Sequence, residues 1–153
     1  MRQLKTALMY AADLLARQEH SEQHLREKLR RKGYEEEETE AALAKLKERH
    51  YLNDEEACAR QFDYFYRESR KSVRQICLKL EQRGFEHSLV RACVPDDIFE
   101  RECKSALRTL EAKYKPSADQ QKLKAGLYRQ GFSVSVCEAA VRAFLEEHEE
   151  EEE

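Results

Sequence analysis

The densest chemistry-bearing cluster in the chain is RxKxRRK, where Arg26, Lys28, Arg30, Arg31 and Lys32 put five cations into seven positions. A second group, Arg67, Arg70, Lys71, Arg74, Lys79 and Arg83, lies in Arg67–Arg91, a stretch with seven positive and three acidic residues. Cations at this density create a local field suited to phosphate oxygens or to an acidic protein surface. On a solvated helix they also complement the carbonyl end of the helix dipole, which the crowding of positives toward Lys32 fits. Phe62, Tyr64, Phe65 and Tyr66 interleave with Arg60 and Arg67 as base-stacking aromatics can. Phe62, Phe65 and Tyr66 share one helical face, which favours core packing, and Tyr64 alone points outward.

Other reactive types lead nowhere catalytic. His20 and His24 are four apart, as zinc ligands can be, but Ser21 between them reads as a helix cap and no third ligand follows at a suitable spacing. Five cysteines, Cys58, Cys77, Cys93, Cys103 and Cys137, include no CxxC pair and sit at or beside apolar helical positions. They read as small reduced thiols rather than a disulfide framework. No Gly-rich phosphate loop or nucleophile elbow occurs, and none of the 31 carboxylates stands out as half of a catalytic pair. The chain is expected to be non-enzymatic, without metal or cofactor.

The elements that position these residues are helical. The 153 residues include 17 Leu and 17 Ala against 6 Val and 2 Ile, a helix former's usage. Four Gly and two Pro cannot supply the turns of a β-sandwich or barrel. No apolar run nears the roughly 18 residues of a membrane span. The start, MRQLKTALMYAADLL, carries Arg2 and Lys5 and lacks the uncharged core of a signal peptide. A cytoplasmic chain with no membrane contact is expected. Seven glutamates in Glu146–Glu153 leave the rest of the chain at +4 against −3 for the whole. The end reads as a disordered acidic tail, which could lie on the basic patches as a phosphate mimic.

One frame recurs three times. Gly33-Tyr34, Gly84-Phe85 and Gly131-Phe132 are each preceded by Leu29, Leu80 or Leu127, then by Leu25, Ile76 or Leu123, then by Ser21, Ser72 or Asp119. The oxygen side chains cap a helix, the i, i+4 apolar pairs mark its buried stripe, and the glycine ends it in the left-handed conformation. A helix follows each glycine, with Ala42, Leu43 and Leu46 inside the first, Leu89, Val90, Cys93 and Val94 inside the second, and Val136, Cys137, Ala140, Val141 and Phe144 inside the third. Another precedes each cap: Leu4, Leu8, Ala11 and Leu15, then Cys58, Phe62, Phe65 and Tyr66, then Phe99, Cys103, Leu107, Leu110 and Tyr114. Asn53 with Glu56 reads as a capping box, and Pro95 and Pro116 as breaks. The predicted fold is all-α: three tandem three-helix repeats, at 1–52, 53–95 and 96–147, stacked into an elongated, curved body, with 148–153 as the tail.

These residues resemble a known family. EHSEQHLREKLRRKGY (Glu19–Tyr34) resembles the repeat opening of RecX, the regulatory protein of the RecA recombinase; YLNDEEACARQF (Tyr51–Phe62) and VRQICLKLEQRG (Val73–Gly84) are similar to its next segments. The resemblance runs from Leu4 to about Leu145 and is strongest in the first two repeats. His50 stands where the family has glycine, its basic loop is shortened to Arg70-Lys71, and the acidic tail is foreign to the pattern. The resemblance implies a non-catalytic monomer that lodges in the groove of the RecA–single-strand DNA filament and depresses ATP hydrolysis, strand exchange and coprotease activity. It thereby regulates homologous recombination, DNA repair and the SOS response. The eleven cations of the two basic groups are its candidate contacts to RecA or to DNA, with weak direct DNA binding. Two other readings remain: a helix-turn-helix-like DNA-binding module, which would show sequence preference on duplex, and a helical-repeat adaptor for another protein.

Overall fold

In the computed structural model residues 5–152 are described. They form nine helices and no strand: α1 (Ala7–Arg17), α2 (Glu22–Lys32), α3 (Glu36–Glu48), α4 (Asp54–Glu68), α5 (Val73–Gln82), α6 (His87–Ala92), α7 (Phe99–Lys113), α8 (Gln120–Arg129) and α9 (Val134–Glu152). None of these is long and apolar enough to cross a membrane. The tandem three-helix pattern follows the Ser–Leu–Leu–Gly frame. Ser21 accepts a hydrogen bond from the His24 amide, Ser72 from Gln75 and Asp119 from Gln121, each capping the middle helix of a triplet. Gly33, Gly84 and Gly131 follow at φ 102°, 94° and 97°, the region that favours glycine. Tyr34, Phe85 and Phe132 then turn back into the core.

The chain divides into two compact units. One comprises residues up to Gln61 together with Lys79–Cys93; the other comprises Phe62–Leu78 together with the residues from Val94 on. The first unit buries Ala7, Ala11, Leu25, Leu29, Tyr34, Leu43, Leu46 and Leu52 in one cluster. The second buries Leu110, Leu123, Leu127, Phe132, Val136, Val141 and Phe144. Leu4, expected on the first helix, lies outside the described residues.

Each unit contains a joint of the same design. In the first, the Ser21 hydroxyl donates to the Arg83 carbonyl at 2.6 Å, and a Cβ at Gly84 would lie 2.5 Å from that hydroxyl. In the second, Ser72 donates to the Gln130 carbonyl at 2.7 Å, and a Cβ at Gly131 would lie 2.7 Å away. The serine thus caps one helix and closes the end of another, and glycine permits the approach. Asp119, an acceptor only when ionised, has no such bond to give.

Two expectations are revised. The buried side of α7 is Glu102, Ser105, Ala106, Thr109 and Leu110, while Phe99 is 49% exposed. Hydrogen bonds make that polar face tolerable: Glu102 accepts from the Val73 amide at 2.8 Å and Thr109 donates to the Ser105 carbonyl at 2.9 Å. The acidic stretch 148–153, expected to be disordered, continues α9 through Glu152, and Glu153 lies outside the described residues. Glutamate is a good helix former, and His148 anchors the start of the stretch, edge-on to Phe144 at 4.7 Å and 3.3 Å from Glu151. His50 adopts φ 63°, which explains why glycine is the residue to expect there.

Candidate anion-binding groove

The two cationic groups have different surroundings. On α2, Arg26 bonds Glu40 at 2.6 Å and Glu22 at 3.1 Å, and Lys47 reaches Glu22 at 2.8 Å. The Arg26 bond holds the Glu40 carboxyl below its usual range, and Glu40 in turn raises the Arg26 guanidinium. Lys28 lies 2.8 Å from His20 Nε2, whose Nδ1 is 2.7 Å from the Gln18 carbonyl. Burial lowers the His20 pKa, so the imidazole stays neutral, donates to the carbonyl and accepts from the lysine. Among the described residues no group of three His, Cys, Asp or Glu could hold a metal. Lys32 sits over the Tyr10 ring at 5.4 Å, Arg30 is 3.8 Å from Glu36, and Arg31 is exposed.

In the second group, Arg67 is paired with Asp63 at 2.8 Å. Arg83 bonds the Gln61 side chain at 2.6 Å, and Lys79 is half-buried near the end of α5. Arg74 is exposed, and its Cβ lies 3.2 Å from where a Gly131 Cβ would be. Tyr64 is 61% exposed, while Phe62 is buried and stacks on Tyr66 at 5.6 Å.

Arg70 and Lys71 differ from all of these. They line a groove of about 640 Å³ in the second unit together with Lys113 and Arg129. Ser69, Gln75, Thr109, Tyr114, Gly126 and Gln130 complete it, and no carboxylate faces it. Among the described residues none of the four cations is in an ion pair. The short segment Ser69–Ser72 between α4 and α5 presents the first two; Lys113 and Arg129 are the last residues of α7 and α8. A Cβ at Gly126 would meet the Tyr114 hydroxyl at 2.2 Å, so the glycine lets that ring lie across α8 at the groove wall.

A neighbouring network fixes the segment that carries Arg70 and Lys71. Arg101 donates to the carbonyls of Lys71 (2.6 Å), Tyr66 (3.0 Å), Ser69 (3.2 Å) and Phe65 (3.3 Å), and its guanidinium lies over the Tyr66 ring at 4.9 Å. Glu102 bonds Arg101 at 2.8 Å and caps the first amide of α5. The arginine satisfies carbonyls at the end of α4 and the carboxylate sits at the positive end of α5, so both helix dipoles are complemented.

Reading the sequence singled out Arg70 and Lys71 but missed Lys113 and Arg129, which lie outside any basic run. Their one local sign is a cation in the last turn of a helix. The structure does not gather the other candidates into this groove.

Known proteins place the chain. A family model for the first three-helix domain of RecX matches residues 7–46. The regulatory protein RecX of Caldanaerobacter subterraneus subsp. tengcongensis is 34% identical over 142 residues, covering 90% of this chain and 70% of that one. The crystal structure of RecX from Lactobacillus salivarius superposes with a TM-score of 0.77 at 18% identity, over 90% of this chain and 94% of that one. A second crystal structure, of a regulatory protein RecX, gives 0.75 at 25% identity, over 86% and 68% of the two chains. With this extent of sequence identity and the same helical fold, the chain belongs to the RecX family of regulatory proteins.

Proposed function

We propose that this protein is a negative regulator of the RecA recombinase, a cytoplasmic monomer that binds in the groove of the RecA–single-strand DNA filament. There it lowers ATP hydrolysis, strand exchange and coprotease activity by occupying the groove and restraining subunit rearrangement. The helix triplets 1–52, 53–95 and 96–147 act as its binding modules. It performs no chemistry of its own and needs no cofactor. Family membership supports a regulatory role. The observation that carries the choice of an anionic partner is the carboxylate-free groove with Arg70, Lys71, Lys113 and Arg129 open to it. Side chains left without internal partners keep their field for something outside.

The test is the single-strand-dependent ATPase of the cognate RecA, measured as this protein is titrated in. The rate should fall several-fold by equimolar ratio, and less so at high salt, where phosphate and carboxylate contacts are screened. An unchanged rate at excess protein would overturn the reading.

A further inference from the structure

We propose that Cys58 and Cys93 form a reversible modification site, closing to an intramolecular disulfide when the protein meets a small-molecule disulfide. The inference concerns thiol chemistry inside the first unit and does not rest on the filament reading.

Proximity comes first. Cys58 lies in α4 and Cys93 caps the end of α6, 35 positions further on, yet their sulfurs stand 3.9 Å apart. Both belong to the first compact unit. A disulfide bond is about 2.0 Å long, so the sulfurs have to close by roughly 1.9 Å. Cys93 is placed to supply that movement. It follows the last residue of α6, and its thiol donates to the Leu89 carbonyl at 3.4 Å, a weak bond that a turn about the Cα–Cβ axis releases.

Burial gives the two sulfurs different roles. Cys58 is fully buried and Cys93 is half-buried, so an oxidant in solution reaches Cys93 first. The Cys93 thiol loses its proton, the thiolate attacks one sulfur of the small disulfide, and a small thiolate leaves. The product is a mixed disulfide on Cys93. Cys58, already in contact, loses its proton in turn and attacks Cys93 Sγ. The bond to the small molecule breaks and its second thiolate departs. Two cysteine thiols have then lost two electrons and two protons, and one small disulfide has become two thiols. Neither cysteine needs unusual acidity, because the second step is intramolecular and has a high effective concentration. Cys103, the half-buried cysteine of the second unit, competes poorly. Burial, then the Glu102 charge, raises its pKa and leaves little thiolate. In reducing surroundings the pair stays as thiols, and the bond is a transient one.

The measurement is mass spectrometry of the full chain after incubation with oxidised glutathione at about pH 8, near the ordinary thiol pKa, followed by alkylation and tryptic digestion without reductant. The linked peptides should be His50–Arg60 and Ala92–Arg101. They should outweigh every other pairing by about ten-fold and separate on treatment with dithiothreitol. Cys58→Ala should stop at the first step, with glutathione attached to Cys93. Cys93→Ser should give neither the linked peptides nor glutathione on the buried Cys58. Cys103→Ser should keep the linked peptides undiminished. Oxidised wild type should also unfold at a urea concentration higher than the reduced protein by about 1 M, since the bond constrains the unfolded chain. Cys93→Ser should show no such shift.

A wild-type product that remains the mixed disulfide, or in which other pairings predominate, would overturn the inference. So would linked peptides that form only in urea sufficient to unfold the chain, because contact in the native fold would then play no part. Linked peptides with an unchanged or lowered urea midpoint would overturn it as well, by showing that the bond does not fit the folded first unit.

Discussion

The two units solve the same joint with different reserves of charge. In the first, the acid that caps the middle helix is Asp54, half-buried, accepting one amide bond from Glu22 at 2.9 Å. In the second it is Glu102, whose side chain is 6% exposed and lies in a network with Arg101 and the carbonyls around the α4–α5 segment. The first unit scatters its cations onto acids at its surface. The second concentrates one arginine in its interior and leaves four cations facing a groove. A cation in a sequence projects a field only when the fold brings no acid to it, so the dense basic motif on α2 is partly neutralised at Arg26 and Arg30 while the four cations of the groove are not.

The largest expected difference between the units comes from cutting the acid contacts. Arg101→Ala leaves Glu102 buried without its partner and four backbone carbonyls without their donor. About 3–4 kcal/mol should be lost, in the range for breaking a buried ion pair by removing one member. Asp54→Ala removes one capping bond and should cost about 1 kcal/mol. Urea denaturation of the two variants measures both. Equal shifts in midpoint would end the distinction between the joints.

The shared half of the joint should respond alike. Gly84→Ala and Gly131→Ala each force alanine into a left-handed φ and press its methyl group onto a serine hydroxyl, for about 2 kcal/mol apiece. Ser72→Ala removes that hydroxyl, so Ser72→Ala with Gly131→Ala should cost less than the two single losses added together. Strict additivity would mean that serine and glycine do not meet as the 2.7 Å approach requires.

Local grammar explains what the sequence made legible. Caps, apolar i, i+4 pairs and terminal glycines act within one helix, so the Ser21, Ser72 and Asp119 frame could be read directly and the helices follow it. The α7 face could not, because Glu102, Ser105 and Thr109 look like solvent residues until their bonding partners are known. Lys113 and Arg129 were hidden for a related reason: each is a lone cation at a helix end, and only tertiary packing brings them to Arg70 and Lys71. The run at Arg26–Lys32 was conspicuous, but the acids that quench much of its charge include Glu40, on a different helix. The acidic end misled through composition, since repulsion among glutamates argues for disorder while their helix propensity and the Phe144–His148 contact extend α9.

The smallest expected difference is in acid. In the first unit Glu40 is held below its usual pKa chiefly by the hydrogen bond from Arg26. For Glu19, burial pushes up, but the bonds from Arg60 and Gln61 and the Arg60 charge outweigh it and lower the pKa. A carboxyl depressed by folding stabilises the native state above its unfolded value of about 4.3, and that contribution fades as pH falls through the folded value. In the second unit Glu111 is raised by burial first, then by the charge and hydrogen bond of Glu147. Its sign is opposite: its contribution is complete below the unfolded value and is lost as pH rises through the folded one. Asp54, raised chiefly by burial, offsets part of the first unit's acid sensitivity. Between about pH 5 and pH 3, amide exchange corrected for its intrinsic rate should therefore lose protection at Leu25 and Leu29 before Leu110 and Val141, by less than about ten-fold because these ion pairs are near the surface. Glu40→Gln should narrow the gap from one side and Glu111→Gln from the other. Simultaneous loss at both sets of amides, in wild type and in both variants, would mean that the units open as one and that their different charge reserves do not reach stability.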